Sequence, residues 1–527
     1  TTTTTNRFTD NIAGTHGGAI AISGSNAILL GVAMTKNIAQ EGNGGAIYGN
    51  SLYGIPEFNI QYMNGTKNKA SLYGGVGFLE GSLAIISTFK YSLYNDNVAK
   101  FGGVFATQYA SLQIYMSIFF KNSALLNGGA LYASLGNLKI TQCAFRNGYA
   151  SQKGGHIFID GAITKVQKNS LFSAGHAKQG GGIYCTASAP VQLDISESIF
   201  QRSSAESGGA GFVVACHVEM DHAETIHNKA SDGAGGGWEF AGFSVGRLVE
   251  SLFLGNIANG IGGGISCNSC NRLNLSGGTF QKNQASRSGG GLSCSSHGDS
   301  FVDYFSKNVL FDNNSATAGN GGAVTLNVVK AVVLNEGNVY VDNNAGSFGG
   351  AIYLSRTMFK TNKIGCKRNK AKLGGGQCIY WTPDLNDGIG KQNEADWDRF
   401  CPLLEAYDVK RLAKMELVLS SPKLILRKMP YLHTVNSREV FDKSPKFEIL
   451  DYYGMLSVGM GVSVMSVTLD SSESNSTGAL LGRKLEPIED GTVHFRSTAI
   501  GAMPNTGWYK LDFSISSFSR LASQSIK

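Results

Sequence analysis

An all-β chain, built as a parallel β-helix of about fourteen coils and closed by a small immunoglobulin-like β-sandwich, is the fold that the sequence predicts. Three observations predict it. A Gly-Gly pair returns fourteen times, an aromatic-x-x-Asn-x-Ala motif precedes most of the pairs, and the runs between them are short and alternating.

The pairs begin at Gly17, Gly44, Gly74, Gly102, Gly128, Gly154, Gly180, Gly208, Gly235, Gly262, Gly289, Gly321, Gly349 and Gly374, in steps of 25 to 32 residues clustered near 27. A fixed period of this size marks stacked repeats. Glycine admits φ > 0 and close backbone contact, so Gly17-Gly18, Gly44-Gly45, Gly128-Gly129 and Gly349-Gly350 are expected at one tight corner of successive coils. The second motif is written Phe8/Asn11/Ala13, Tyr94/Asn97/Ala99, Phe119/Asn122/Ala124, Phe253/Asn256/Ala258, Phe280/Asn283/Ala285 and Phe311/Asn314/Ala316. Asn11, Asn122, Asn256, Asn283 and Asn314 then stack as an inward hydrogen-bonded ladder that closes open backbone groups. The aromatics stack with their equivalents above and below. Some repeats keep only Asn-x-Ala, as at Asn37, Asn68, Asn228 and Asn369, and others place Gly175 or Ser203 in the Asn slot.

The strands lie between the motifs. Ala19-Ile20-Ala21-Ile22 and Ala351-Ile352-Tyr353-Leu354 follow their Gly pairs, and Leu138-Lys139-Ile140 and Val191-Gln192-Leu193-Asp194-Ile195 alternate apolar with polar residues. No repeat leaves room for a ten-residue amphipathic helix, which disfavours leucine-rich and helical solenoids. One repeat cannot bury a core alone, so the units stack. At about 4.8 Å per coil the stack makes a rod of roughly 60 Å.

Composition agrees. There are 69 Gly and 9 Pro in 527 residues, without a collagen period, and 16% of residues are charged. The net charge of +7 is spread along the chain, with no dense Lys/Arg stripe bearing interleaved aromatics, so nucleic acid is not an expected partner. The apolar runs fall far short of the roughly 20 residues of a membrane-spanning helix. The chain opens on Thr1–Thr5 and enters a repeat at once, which reads as a fragment or processed form of something longer.

The paired motifs "FTDN…GGAI" and "FFKN…GGAL" resemble those of chlamydial polymorphic outer-membrane proteins, and of related large extracellular repeat proteins of protists. The resemblance covers residues 1 to about 380. It implies a right-handed β-helix and a surface adhesin carrying a C-terminal membrane barrel. This chain departs at the barrel: the residues after the last repeat lack regular ten-residue amphipathic strands. The barrel-less protist form fits better.

The domains read as follows: 1–380, the parallel β-helix; 381–440, a capping or linker segment with a short helix near 391–417; 441–527, the immunoglobulin-like domain. In the last, Phe447, Ile449 and Gly491–Phe495 read as strands, Asp490-Gly491 as a turn, and Gly507–Phe513 as the final strand of the sandwich.

Candidate chemistry is thin. His217, Glu219 and Asp221 share one face of a strand and form the one candidate metal or acid/base set. The plainer reading is a solvent-facing strand flank, and neither a metal nor a cofactor is expected. Cys267 and Cys294 hold equal places in successive coils, at a separation that suits either a disulfide or two buried thiols. Asn64, Asn274, Asn313 and Asn475 head sequons that permit N-glycosylation in a secreted eukaryotic protein. His156, beside a Gly pair, reads as structural. The expected role is that of a non-enzymatic, extracellular building block of a surface filament, appendage or coat, whose partners are its own copies, other surface proteins or glycans. The alternative is a carbohydrate-binding or carbohydrate-active β-helix protein, lyase-like or hydrolase-like, using exposed aromatics such as Tyr184 and Trp238.

Overall fold

A computed structural model describes residues 6–382, apart from 51–56, 82–85, 297–301, 328–332, 356, 358, 363 and 373–375, and beyond 383 only the strands between Leu417 and Ile526. Among the described residues there is no helix. The first part is a parallel β-solenoid in which each coil lies on the one before it.

Each coil has four strand positions. The first carries the aromatic motif, and its strands, Asn6–Thr9 through Gly365–Lys367, form a 14-stranded parallel sheet in chain order. Fourteen rungs with thirteen steps between them meet the expected count. The second position is a short strand after the Asn, mostly of two residues as in Ile12–Ala13, arranged in sheets of 6 and 7 strands. Single bridges from His176 to Tyr149 and to Ser204 join the two sheets. The third position follows the Gly pair, from Ile20–Ser23 to Ile379–Thr382, and the fourth runs from Ala27–Leu30 to Phe359–Asn362. The long strands Ile183–Ser196 and Gly211–Asp221 each cover both positions, which merges them into one sheet.

Left-handed residues bend the coil at its corners, and two of them recur in every coil. One is the residue just before the Asn slot, for example Asp10 (φ 56), Lys121 (φ 52) and Arg368 (φ 54). The other is the first Gly of each pair, as Gly128 (φ 69), where a side chain would be strained. The second Gly answers a different demand. A β-carbon on Gly129 would overlap the carbonyl oxygen of Gly155 in the next rung.

The last corner needs a correction. Gly376 (φ 78), not Gly374, holds the place of the first Gly, because Ile352 pairs with Ile379 and Gly350 N–H donates to the Gly376 carbonyl. The final step is therefore regular, and Gln377 occupies the second Gly place.

Strand alternation sends one set of side chains inward, and a single apolar core runs from Ala27 to Ile379. The aromatic column lies within it: Phe119–Phe145, Phe145–Phe172 and Phe172–Phe200 stack at 4.4, 4.9 and 4.6 Å, and Phe253–Phe280, Phe280–Phe311 and Phe311–Tyr340 at 4.6, 5.0 and 5.0 Å. Thr225 takes the aromatic slot between Phe200 and Phe253. There the column is filled from another strand: Trp238 packs edge-on at 5.3 Å from Phe200 and donates from Nε1 to Thr225 Oγ1 at 3.2 Å.

Past residue 383 the expected helix near 391–417 lies outside the described residues. Leu417–Leu419 adds one more parallel strand beside Ile379–Thr382. Pairing then turns antiparallel, with Ser463–Asp470 joined along its length to Lys510–Ser517, and Lys446–Leu450 to Thr492–His494. Lys510–Ser517 is not the last strand, since Gln524–Ile526 pairs with it. The Asp490-Gly491 turn and the immunoglobulin-like arrangement fall on residues outside the described ones.

Candidate functional site

The Asn slot forms a saturated ladder. In its second half, Asn256 donates from its backbone N–H and from Nδ2 to Asn283 Oδ1, at 3.0 and 2.9 Å, and again from Nδ2 to the Thr225 carbonyl at 2.8 Å. Asn283 repeats the pattern toward Asn314 and Phe253, and Asn314 toward Asn343 and Phe280. Each oxygen accepts two N–H groups and each amide donates both hydrogens, so the buried group is satisfied. Asn11, Asn37, Asn68, Asn97 and Asn122 form the first half in the same way.

Three rungs separate the halves, with Gly148, Gly175 and Ser203 in the slot. Ser203 N–H donates to Asn228 Oδ1 at 2.9 Å and restarts the ladder. His156 fills the space at the other two. A β-carbon on Gly148 would overlap its imidazole, and one on Gly175 would lie 2.7 Å from its Cδ2. The ring's Nε2 is 3.2 Å from the Ser173 carbonyl, and burial lowers its pKa to about 4. His156 is thus a neutral core group. The signal was present in the sequence as a histidine in the place that Ala takes after other Gly pairs, between two coils with glycine in the Asn slot.

The cysteines correct an expectation. Cys267 and Cys294 are register partners, as their spacing implied. Yet Cys267 is bonded to Cys270 within its own coil, with Cα atoms 5.6 Å apart, and Cys294 is a buried free thiol. The Cys270 side chain turns into the core after the strand, where it reaches Cys267 without crossing a rung. Two further disulfides, Cys185–Cys216 and Cys366–Cys378, join strand positions that spacing did not suggest. Of the sequon residues, Asn64 and Asn313 are exposed, Asn274 is half-buried, and Asn475 lies outside the described residues.

His217, Glu219 and Asp221 do share the outer face of a strand, while Val218 and Met220 point inward. Their partners are not one another. Glu219 is ion-paired to Arg247, and Asp221 to His222 Nδ1 at 2.8 Å; His222 Nε2 also lies 3.0 Å from Glu250. Asp221, and then Glu250, raise the His222 pKa. Among the described residues no group of three or more His, Cys, Asp or Glu is placed to hold a metal.

The aromatics expected to be exposed are not. Trp238 is 0% and Tyr184 4% exposed, the first in the core and the second stacked in an outer column of Tyr132, Phe158, Tyr184 and Phe212 at 5.0 to 5.5 Å. Alternation could not separate an outward ring from an exposed one, because neighbouring rungs cover it. Exposed rings stand elsewhere too, as Tyr109, Tyr149 and Phe243, but they gather at the corner between the fourth and first strand positions. There Tyr62 and Tyr91, both left-handed, stack at 5.2 Å, and Tyr115 meets Tyr91 edge-on at 5.8 Å.

Beside this corner, on the fourth strand position, is a cleft of about 300 Å³ that spans four rungs. Lys90, Tyr91, Gln113, Tyr115, Lys139 and Lys168 line it, and no carboxylate does. The same face changes character further along. Register carries Lys139 and Lys165 to Asp194, Glu219 and Arg247, a row in which Lys165–Asp194 (3.6 Å) and Arg247–Glu219 are ion pairs.

Among known proteins, the Chlamydia polymorphic membrane protein repeat matches residues 117–134 and 308–326. Each segment holds an Asn slot and, at or near its end, a Gly pair. No curated protein and no solved structure matches the chain. The chain is thus a parallel β-solenoid whose repeat unit is similar to that of the Chlamydia polymorphic membrane proteins.

Proposed function

We propose that the chain is a non-catalytic, stiff rod of a cell surface, serving as a building block of a filament, appendage or coat. The observation that carries this reading is the unbroken core from Ala27 to Ile379, tied rung to rung by amide and aromatic columns. Such a core resists bending because every rung is held by both neighbours. The matched repeat is that of a surface-associated class of membrane protein, which supports a location at the cell surface. Three disulfides fit an oxidising compartment. On the outer face Glu219 and Asp221 are neutralised by bases instead of being gathered around a vacant site.

Small-angle scattering and sedimentation of the purified chain test the reading. A rigid rod that associates as concentration rises supports it. A flexible particle that stays monomeric at high concentration sinks it, and so does release of sugar ends from a polysaccharide that Glu219→Gln or Asp221→Asn abolishes.

A further inference from the structure

We propose that the cleft beside Tyr62, Tyr91 and Tyr115 binds an anionic polysaccharide, one that carries carboxylate or sulfate groups. This goes beyond the rod reading and stands whether or not the rods associate.

Three observations carry it. The first is exposed ring surface. Tyr62 is 57% and Tyr91 41% exposed, so the two stacked rings leave apolar surface open to solvent at this corner. Sugar rings lay their C–H faces on such surfaces while their hydroxyls stay wet. The second is charge. Lys90, Lys139 and Lys168 line the cleft, none has an ion-pair partner among the described residues, and no acid lines it; the nearest acid along the corner, Glu197, stands one rung beyond Lys168. Lys165, one rung from Lys139, is already drawn to Asp194, which marks where the positive field ends. The third is periodicity. Gln113, Lys139 and Lys165 follow one another in register, and so do Lys90, Tyr115, Thr141 and Gln167. Rungs repeat about every 4.8 Å, close to the advance of a glycan chain per sugar, so a polymer along the rod meets one row of donors per residue. The amides of Gln113 and Gln167 and the tyrosine hydroxyls supply hydrogen bonds, and the ammonium groups supply the preference for anions.

The rival occupant is a second copy, but on that face its Asp194, Glu219, Asp221 and Glu250 are already paired with Lys165, Arg247 and His222. The exposed tyrosines and the one-rung repeat favour the glycan.

The test is calorimetric titration of the full chain with three probes: a heparin-derived octasaccharide, an octamer of galacturonic acid, and a neutral dextran of similar size. Binding of one or both anionic probes, weakened by added salt, with dextran inert, is expected; the arm that binds tells sulfate from carboxylate. Lys139→Ala/Lys168→Ala should weaken binding at least tenfold. Tyr62→Asn/Tyr91→Asn, which suits the left-handed backbone at both positions, should weaken it about fivefold, with the melting temperature of either variant close to the parent's. Equal binding of dextran, no binding of any probe, or lysine variants that keep full affinity would overturn the proposal. It would also fall if those variants changed only the sedimentation of the chain.

Discussion

At the residue scale, the solenoid is held by a ladder of buried amides in which each inner asparagine uses every polar atom of its side chain. Asn283 is the clearest case. Its removal strands the backbone N–H and one Nδ2 hydrogen of Asn256 and leaves the Phe253 carbonyl without its side-chain donor. Buried unpaired groups cost on the order of 1–3 kcal/mol each. Asn283→Ala should therefore lower stability by about 3 kcal/mol or more, read as a shift of the urea midpoint. His156 gives a second prediction through pH. Burial lowers its pKa from 6.5 to about 4. The unfolded chain then takes up a proton, as pH falls below 6.5, that the folded chain refuses until about 4. Its contribution is whole above pH 6.5 and drains away down to pH 4, by about 3 kcal/mol in all. Glu239 acts in the opposite sense. Burial raises its pKa from 4.5 to about 7, so its contribution is whole below 4.5 and is lost as pH rises toward 7. The difference in stability between the parent and His156→Gln, measured from pH 4 to 7, isolates the histidine. A difference that does not grow with pH over that window would show that His156 is not the buried neutral group described.

At the element scale, adjoining strand positions exchange roles. Where Thr225 interrupts the aromatic column, Trp238 arrives from the third position, and Gly211 leaves room for it, since a β-carbon there would overlap the indole. Where the column ends, Cys366 stands in the aromatic slot beside Tyr340 and bonds to Cys378 instead. The Cys185–Cys216 disulfide ties the third position of one coil to the fourth of the next across 31 residues. A loop of that length should make the bond worth about 3–4 kcal/mol on the chain-entropy account. Cys185→Ala/Cys216→Ala should lower the melting temperature, and reducing agent, which also opens the other two disulfides, should lower it less in this variant than in the parent. The loss should be concentrated near these rungs, because in a solenoid each rung answers mainly to its neighbours. Hydrogen exchange resolved along the chain would show it, and protection lost evenly from end to end would contradict it.

For the whole molecule, the unit of construction is the rung. Removing residues 256–282 joins Gly255 to Asn283 and keeps each slot in step, because Asn256 and Asn283 hold the same place in successive coils. That deletion should fold and give a rod shorter by roughly 5 Å. A deletion of half that length should not, since it brings apolar residues to the outer face of every later strand it shifts. Scattering and circular dichroism separate the two outcomes. Equal stability of both would mean that the rungs are not in register.

The repeat, its period, the Gly corner and the Asn ladder were legible in the residues themselves, because each is a local demand that recurs in every coil. A left-handed corner asks for glycine, and an inward slot with two donors and two acceptors to satisfy asks for asparagine. Only the tertiary structure decided the rest. Cys267 had two partners within reach, and the turn after its strand chose Cys270 over Cys294. Trp238 and Tyr184 looked available to a ligand, yet packing between neighbouring rungs buried both, while Tyr62 and Tyr91 remained outside at a corner. His156 and the glycines at 148 and 175 made sense only as a set, since the space that they share lies between coils. Alternation along a strand tells inward from outward. What covers an outward side chain depends on residues a full coil away, and only stacking brings those together.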